Sequence, residues 1–206
     1  MTKLSVDTKL ISSIILAHIL LFITFHDHHA VFWYLYSGAM LFLISFSIFQ
    51  GKAESNAKKS FFQFLLYGIL SGIVLYLIFW IGHFLLTLLP TDLDQQVSHA
   101  YKRFSPELLW NYIVLIIILI PGEEIFWRGF VQKRLMNLMN DKFAILISAL
   151  LNASVFLYAD LPIMMIAAFV GSLFWGILYA KKRDLSMLIL SHLIFDLLLL
   201  VIFPIH

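Results

Sequence analysis

The chain contains no cysteine. A disulfide framework, a thiolate nucleophile and a thiolate metal site are therefore excluded, and several enzyme classes with them. Charge is scarce as well: 13% of residues are Asp, Glu, Lys or Arg, against about 25% in an ordinary soluble domain. The net charge is only +2, and the basic residues are spread among the ends of apolar segments, so nothing suggests a nucleic-acid surface. The apolar runs lack the strict alternation of barrel strands. No small-residue A-x-A pattern follows the first run near Phe25, so that run reads as an uncleaved span rather than a signal peptide.

What remains is apolar. Hydrophobic residues make up 62% of the chain and its mean hydropathy is +0.94. The fold class this implies is all-α, a polytopic transmembrane helical bundle, because spanning segments must satisfy their backbone hydrogen bonds internally. About seven spans are expected: Leu10 to Phe25, Val31 to Phe49, Phe61 to Leu89, Leu108 onward to about Met139, Phe143 to Tyr158, Leu161 to Ala180 and Leu185 to Phe203. Phe32, Trp33, Tyr34 and Tyr36 read as an interfacial aromatic belt. Gly68 and Gly72, and the column Ala168, Ser172 and Gly176, have spacings that let another helix approach closely. His26-Asp27-His28-His29 reads as a polar turn, and Thr91 to Glu107 as the longest polar loop. Residues 1–107 would supply spans one to three and that loop, and 108–206 the chemical core, all within one membrane domain.

The stretch Pro121-Gly122-Glu123-Glu124-Ile125-Phe126-Trp127-Arg128 places three ionisable groups directly after the apolar run Ile113 to Ile120. A charge near the bilayer centre costs at least ~2.5 kcal/mol, so such groups usually face a partner or a water-filled cavity. On a helix Glu124 and Arg128 share a face, and Glu123 points away from Arg128. Glu124 is thus the expected ion-pair partner of Arg128, and Glu123 the carboxylate left for chemistry. The neighbours of Glu123 one turn on, Phe126 and Trp127, give it apolar flanks that suit a general base.

A second polar pair, His192 and Asp196, lies four apart inside the last apolar segment. Lys3, Lys9, Lys52, Lys58, Lys59, Lys133, Arg134, Lys142, Lys181, Lys182 and Arg183 fall on one side of a seven-span arrangement, with Lys102 and Arg103 opposite. By the positive-inside rule the N-terminus is cytoplasmic and the C-terminus extracytoplasmic. His192 then lies ~10 Å from the cytoplasmic end of its span, and a cytoplasm-facing cavity shared with Glu123 is expected.

Glu123-Glu124-x-x-x-Arg128 resembles the first signature of the CAAX protease and bacteriocin-processing family of intramembrane endopeptidases. His192-x-x-x-Asp196, preceded by Gly171 to Tyr179 and the basic loop, looks like that family's third motif, whose last position is Asn or Asp. The resemblance runs from about Leu108 to Leu200. The second motif, Phe-x-x-x-His, corresponds to Phe156-Leu157-Tyr158-Ala159-Asp160, with Asp160 in place of the histidine. The resemblance implies an integral protein of the bacterial cell membrane. It implies a peptide or protein substrate, such as a bacteriocin precursor or a prenyl-type peptide, and a glutamate that activates water against a peptide bond. In that scheme Glu123 pairs with Asp160, and His192 with Asp196 stabilises the oxyanion. Asp160 is either half of a carboxylate dyad or a turn residue before Leu161-Pro162.

No cofactor is expected. Glu123, Asp160 and His192 could supply three zinc ligands, a reading ranked below metal-free catalysis because no His-Glu-x-x-His pattern is present. Two rival functions stand beside the protease: a catalytically impaired relative acting as a membrane binding or regulatory module, and a small transporter. The transporter is disfavoured by the lack of a detectable internal repeat.

Overall fold

The computed structural model describes residues 7–26, 31–50 and 60–205. Seven of its helices are long and apolar enough to cross a membrane. In chain order the helices are α1 Thr8–His26, α2 Phe32–Gln50, α3 Phe61–Thr87, the short α4 Leu93–Phe104, α5 Leu109–Leu138, α6 Asp141–Ala159, α7 Pro162–Lys182 and α8 Leu185–Ile202. The polytopic helical bundle expected from composition is present, and among the described residues every element is helical. The polar segment read as a loop contains α4. The residues 27–30 that hold most of the polar turn, and the loop 51–59, lie outside the described residues.

Local chemistry sets the helix ends. The Asp7 carboxylate accepts from the amides of Lys9 and Leu10, Asn140 from that of Phe143 and Asp184 from that of Met187, each at 3.1 Å. Pro162 starts α7 where its missing N–H is not needed. α5 is irregular around Pro121, which cannot donate to the preceding turn. The amide of Ile120 bonds to the carbonyl of Leu115, and that of Lys133 to the carbonyl of Arg128, both five residues back, so two wide turns flank the proline.

Two apolar clusters form the interior. One joins α1, α2, α5 and α6 through Leu21, Phe25, Met40, Leu43, Phe126, Trp127 and Phe130. The other joins α3, α7 and α8 through Leu75, Trp175, Tyr179, Met187, Leu188 and Phe195. Outward apolar side chains such as Ile11, Phe42, Leu70 and Phe84 stay about half exposed, as a lipid-facing surface requires.

One end of the bundle is knit by charge: Arg134 pairs with Asp7 at 2.7 Å and donates to the Gln50 carbonyl, and Arg183 faces Asp141 at 4.0 Å. The other end is bridged by α4. Arg103 donates to the carbonyls of Ala159 and Phe25, the Gln96 side chain accepts from the Ile163 amide, and Tyr101 donates to the Leu199 carbonyl at 2.7 Å. Burial pushes the Tyr101 phenol up to about 12. Its neutral form therefore supports the docking of α4 fully below pH ~10, and that support is lost as pH rises toward the folded value. The protection factors of the α4 amides, which remove the base-catalysed rise common to every amide, should fall across that window in the native chain but stay level in Tyr101→Phe.

Both glycines of the α3 pair lie against α8. A Cβ on Gly72 would stand 2.6 Å from the Ser191 carbonyl oxygen, and one on Gly68 2.6 Å from the Leu190 side chain. Gly72→Ala should thus lower stability by about 1–3 kcal/mol, the usual cost of overpacking, because a backbone carbonyl cannot swing aside. Gly38, with open space around it, should tolerate alanine in the same thermal unfolding assay.

Candidate active site

α5 presents its two glutamates to different surroundings. Glu124 is fully buried, and Oε2 lies 3.4 Å from Arg128 Nε, the pairing that the four-residue spacing predicts. Its other oxygen, Oε1, lies 2.8 Å from His192 Nδ1 on α8. A carboxylate can only accept, so Nδ1 carries the proton and donates it, which turns Nε2 toward Asp196. Asp196 Oδ2 is 3.7 Å from Nε2, too long for a direct hydrogen bond. The imidazole stacks on Trp175 of α7, with ring centroids 3.9 Å apart, and the Arg128 guanidinium lies 5.5 Å from the same indole. Arg128 Nη1 and Nη2 are buried without a hydrogen-bond partner among the described residues. That charge therefore depends on Glu124 and on the face of Trp175.

Glu123 instead lines a cavity of about 470 Å³, together with His192 and Asp196. The Tyr36 hydroxyl of α2 donates to Glu123 Oε1 at 2.5 Å. Otherwise the walls are mostly apolar, with Phe25, Phe32, Leu119, Phe156, Ile166 and Leu199 among them, and His83 and Tyr101 supply polar groups nearer the mouth. The expected flanks of Glu123 are elsewhere: Phe126 and Trp127 pack into the first apolar cluster, and the cavity wall takes their place.

Of the two readings of Asp160, the structure fits the turn. Asp160 does not join Glu123. It follows the tight last turn of α6 in a left-handed conformation, φ 55°, is exposed, and is absent from the cavity wall. Asp tolerates that backbone better than most residues, and the turn before Leu161-Pro162 uses it. The proposed zinc set of Glu123, Asp160 and His192 therefore does not converge. Among the described residues no group of three His, Asp or Glu side chains has metal-ligand geometry.

The cavity also runs the other way. Along α8 its lining proceeds from His192 through Asp196, Leu199 and Leu200 to Ile205, and along α3 from Ile78 to Leu86. It thus extends from Glu123 and His192 toward the end bridged by α4. Toward the end with the basic loops the interior is filled by Tyr179, Met187 and Leu188. Among the described residues, none near the basic loops lines the cavity.

Sequence reasoning misses Tyr36, which reads as an interfacial aromatic, and Trp175, which sits unmarked within Gly171 to Tyr179. It misses too the second contact of Glu124. No spacing signal connects residues 36 and 123 or 124 and 192.

Replacing Glu124 by Gln should strip Arg128 of its counter-charge and leave His192 Nδ1 with, at most, a neutral amide oxygen to donate to. A loss of about 3–5 kcal/mol, typical of breaking a buried pair, should appear as a lower thermal midpoint and a lower yield of folded protein.

The model of the type II CAAX prenyl endopeptidase Rce1-like family matches residues 105–198, somewhat under half of the chain. Glu123, Glu124, Arg128, Asp160, His192 and Asp196 all fall inside the match, whereas Tyr36 and His83 fall outside it. No curated protein and no solved structure matches the chain.

Proposed function

With residues 105–198 belonging to the type II CAAX prenyl endopeptidase Rce1-like family, we propose that this membrane protein is an endopeptidase in which Glu123 activates water for attack on a peptide bond. The observation that carries the proposal is the placement of Glu123, His192 and Asp196 together on an apolar cavity within the spans. Glu123 takes a proton from water as the oxygen attacks the carbonyl carbon. The carbonyl becomes an oxyanion within reach of His192, and as the C–N bond breaks Glu123 returns the proton to the leaving nitrogen, giving a carboxylic acid and an amine that exchange the acid proton to become a carboxylate and an ammonium. Glu124 holds the His192 ring by its Nδ1 so that Nε2–H of the charged imidazolium faces the oxyanion. Asp196 Oδ2 lies 3.7 Å from Nε2, beside that edge of the ring.

We place the basic loops on the cytoplasmic side, so that the cavity extends from Glu123 toward the extracytoplasmic side. That geometry favours an exported, apolar peptide of bacteriocin type over a prenyl-type tail in the cytoplasm. The misplacement of Asp160 supports a second reading, a relative that keeps the fold as a binding module and does not cleave.

Hydrolysis of apolar peptides by the purified protein separates the two readings. Glu123→Gln should reduce turnover by about a hundredfold or more, the scale of general-base catalysis, at unchanged folded yield. Asp160→Asn and Asp160→His should leave turnover as it is, since the turn lies outside the cavity. A native chain that cleaves nothing sinks the endopeptidase, and a large effect of Asp160→Asn sinks the site as drawn.

Because the chain has no cysteine, single cysteines report sidedness cleanly. In intact cells a membrane-impermeant thiol reagent should label His83→Cys and reach Lys142→Cys only after permeabilisation. The reverse pattern would invert the orientation.

A further inference from the structure

Glu123 is held from outside the family-matched region. Tyr36 belongs to α2, 87 residues away in sequence, is itself buried, and lines the cavity. Its ring is packed against Phe25 and Phe32, with centroids 6.1 and 5.5 Å away. Phe25 in turn meets Phe104 and Phe156. In this aromatic cluster the ring that reaches Glu123 is the one that carries a hydroxyl. Packing alone would be served by another phenylalanine, and a buried phenol needs a polar partner.

From this geometry we infer that Tyr36 is the positioning residue of the active site: its hydroxyl fixes Glu123 Oε1 and leaves Oε2 to face the cavity as the oxygen that takes the proton of water. The inference rests on the endopeptidase reading for its catalytic consequence, but the contact stands by itself. The aromatic cluster fixes the ring, the ring fixes the hydroxyl, and the hydroxyl removes the rotation about the last bond of Glu123 that would otherwise let either oxygen point anywhere. A general base held in this way spends more of its time within reach of an attacking water. The consequence for the chain is that α1 and α2, which carry none of the family motifs, supply part of the site.

Tyr36→Phe keeps the ring and removes one hydrogen bond. In the full-length protein reconstituted in lipid nanodiscs, kcat per folded molecule should fall about ten- to a hundredfold, the range for losing a hydrogen bond to a charged group, while KM stays at its native value. A purely structural tyrosine gives the opposite split, with lower yield and unaltered turnover per folded molecule, and that result would overturn the assignment. Infrared spectroscopy tests the contact without any substrate. The carboxyl bands of Glu123 are isolated by subtracting the spectrum of Glu123→Gln, and they should shift in frequency when the same subtraction is made in the Tyr36→Phe background. Unshifted bands overturn the inference whatever the activity. Shifted bands in a chain that cleaves no peptide uphold the positioning of Glu123 and remove the endopeptidase reading alone.

Discussion

The Glu124 carboxylate is the point on which the interior of this bundle turns. Taking a carboxylate and a guanidinium out of water costs several kcal/mol per ion, a cost offset only by close partners. Glu124 meets Arg128 on its own helix with one oxygen and His192 on α8 with the other, while Trp175 of α7 lies against both the guanidinium and the imidazole. Three helices are thereby held in one register by a single buried charge. The same contact decides which face of the imidazole looks into the cavity, so the stability of the bundle and the orientation of its reactive edge are one arrangement rather than two.

From that hub the cavity acquires its direction. Tyr179, Met187 and Leu188 fill the space between His192 and the basic loops, and α3, α4 and the outer half of α8 wall the remaining depth. The cavity reaches from Glu123 to Tyr101 and His83 near the α4 end. Apolar walls with polar groups confined to the floor and the mouth suit an extended apolar segment whose backbone is presented to the floor. The short amphipathic α4, which in the sequence reads only as a polar stretch, becomes the structural element that bounds the entrance. Its side-chain bonds to α1, α6, α7 and α8 make the opening part of the fold and not an appendage to it.

Contacts between residues close in the chain are legible in the amino-acid sequence. The spans follow from hydropathy, and each of the seven spanning helices begins and ends within a few residues of its apolar run. The pairing of Glu124 with Arg128 follows from a spacing of four on one helix, and the close approach of Gly68 and Gly72 from their small size. Contacts between distant segments are not legible: Tyr36 and Glu123 are 87 residues apart, and Glu124 and His192 are 68 apart. No periodicity encodes which helices become neighbours. Asp160 is undecided for a different reason. The motif resemblance leaves both a dyad and a turn open for Asp160, and α6 tightens at Val155–Ala159 and ends there, carrying the carboxylate out to the surface. The direction of the cavity escapes the sequence because depth along a helix says where His192 lies but not which end of the interior is filled.

The most direct measurement is hydrolysis in water enriched in heavy oxygen, with the purified native chain, an apolar peptide and mass spectrometry of both fragments. Water activated by Glu123 should place one heavy oxygen in the new carboxyl group of the N-terminal fragment, and this product should vanish in Glu123→Gln. Intact peptide after prolonged incubation with folded native protein, or a labelled product that persists in Glu123→Gln, would contradict the assignment of this cavity as a glutamate-dependent peptidase site.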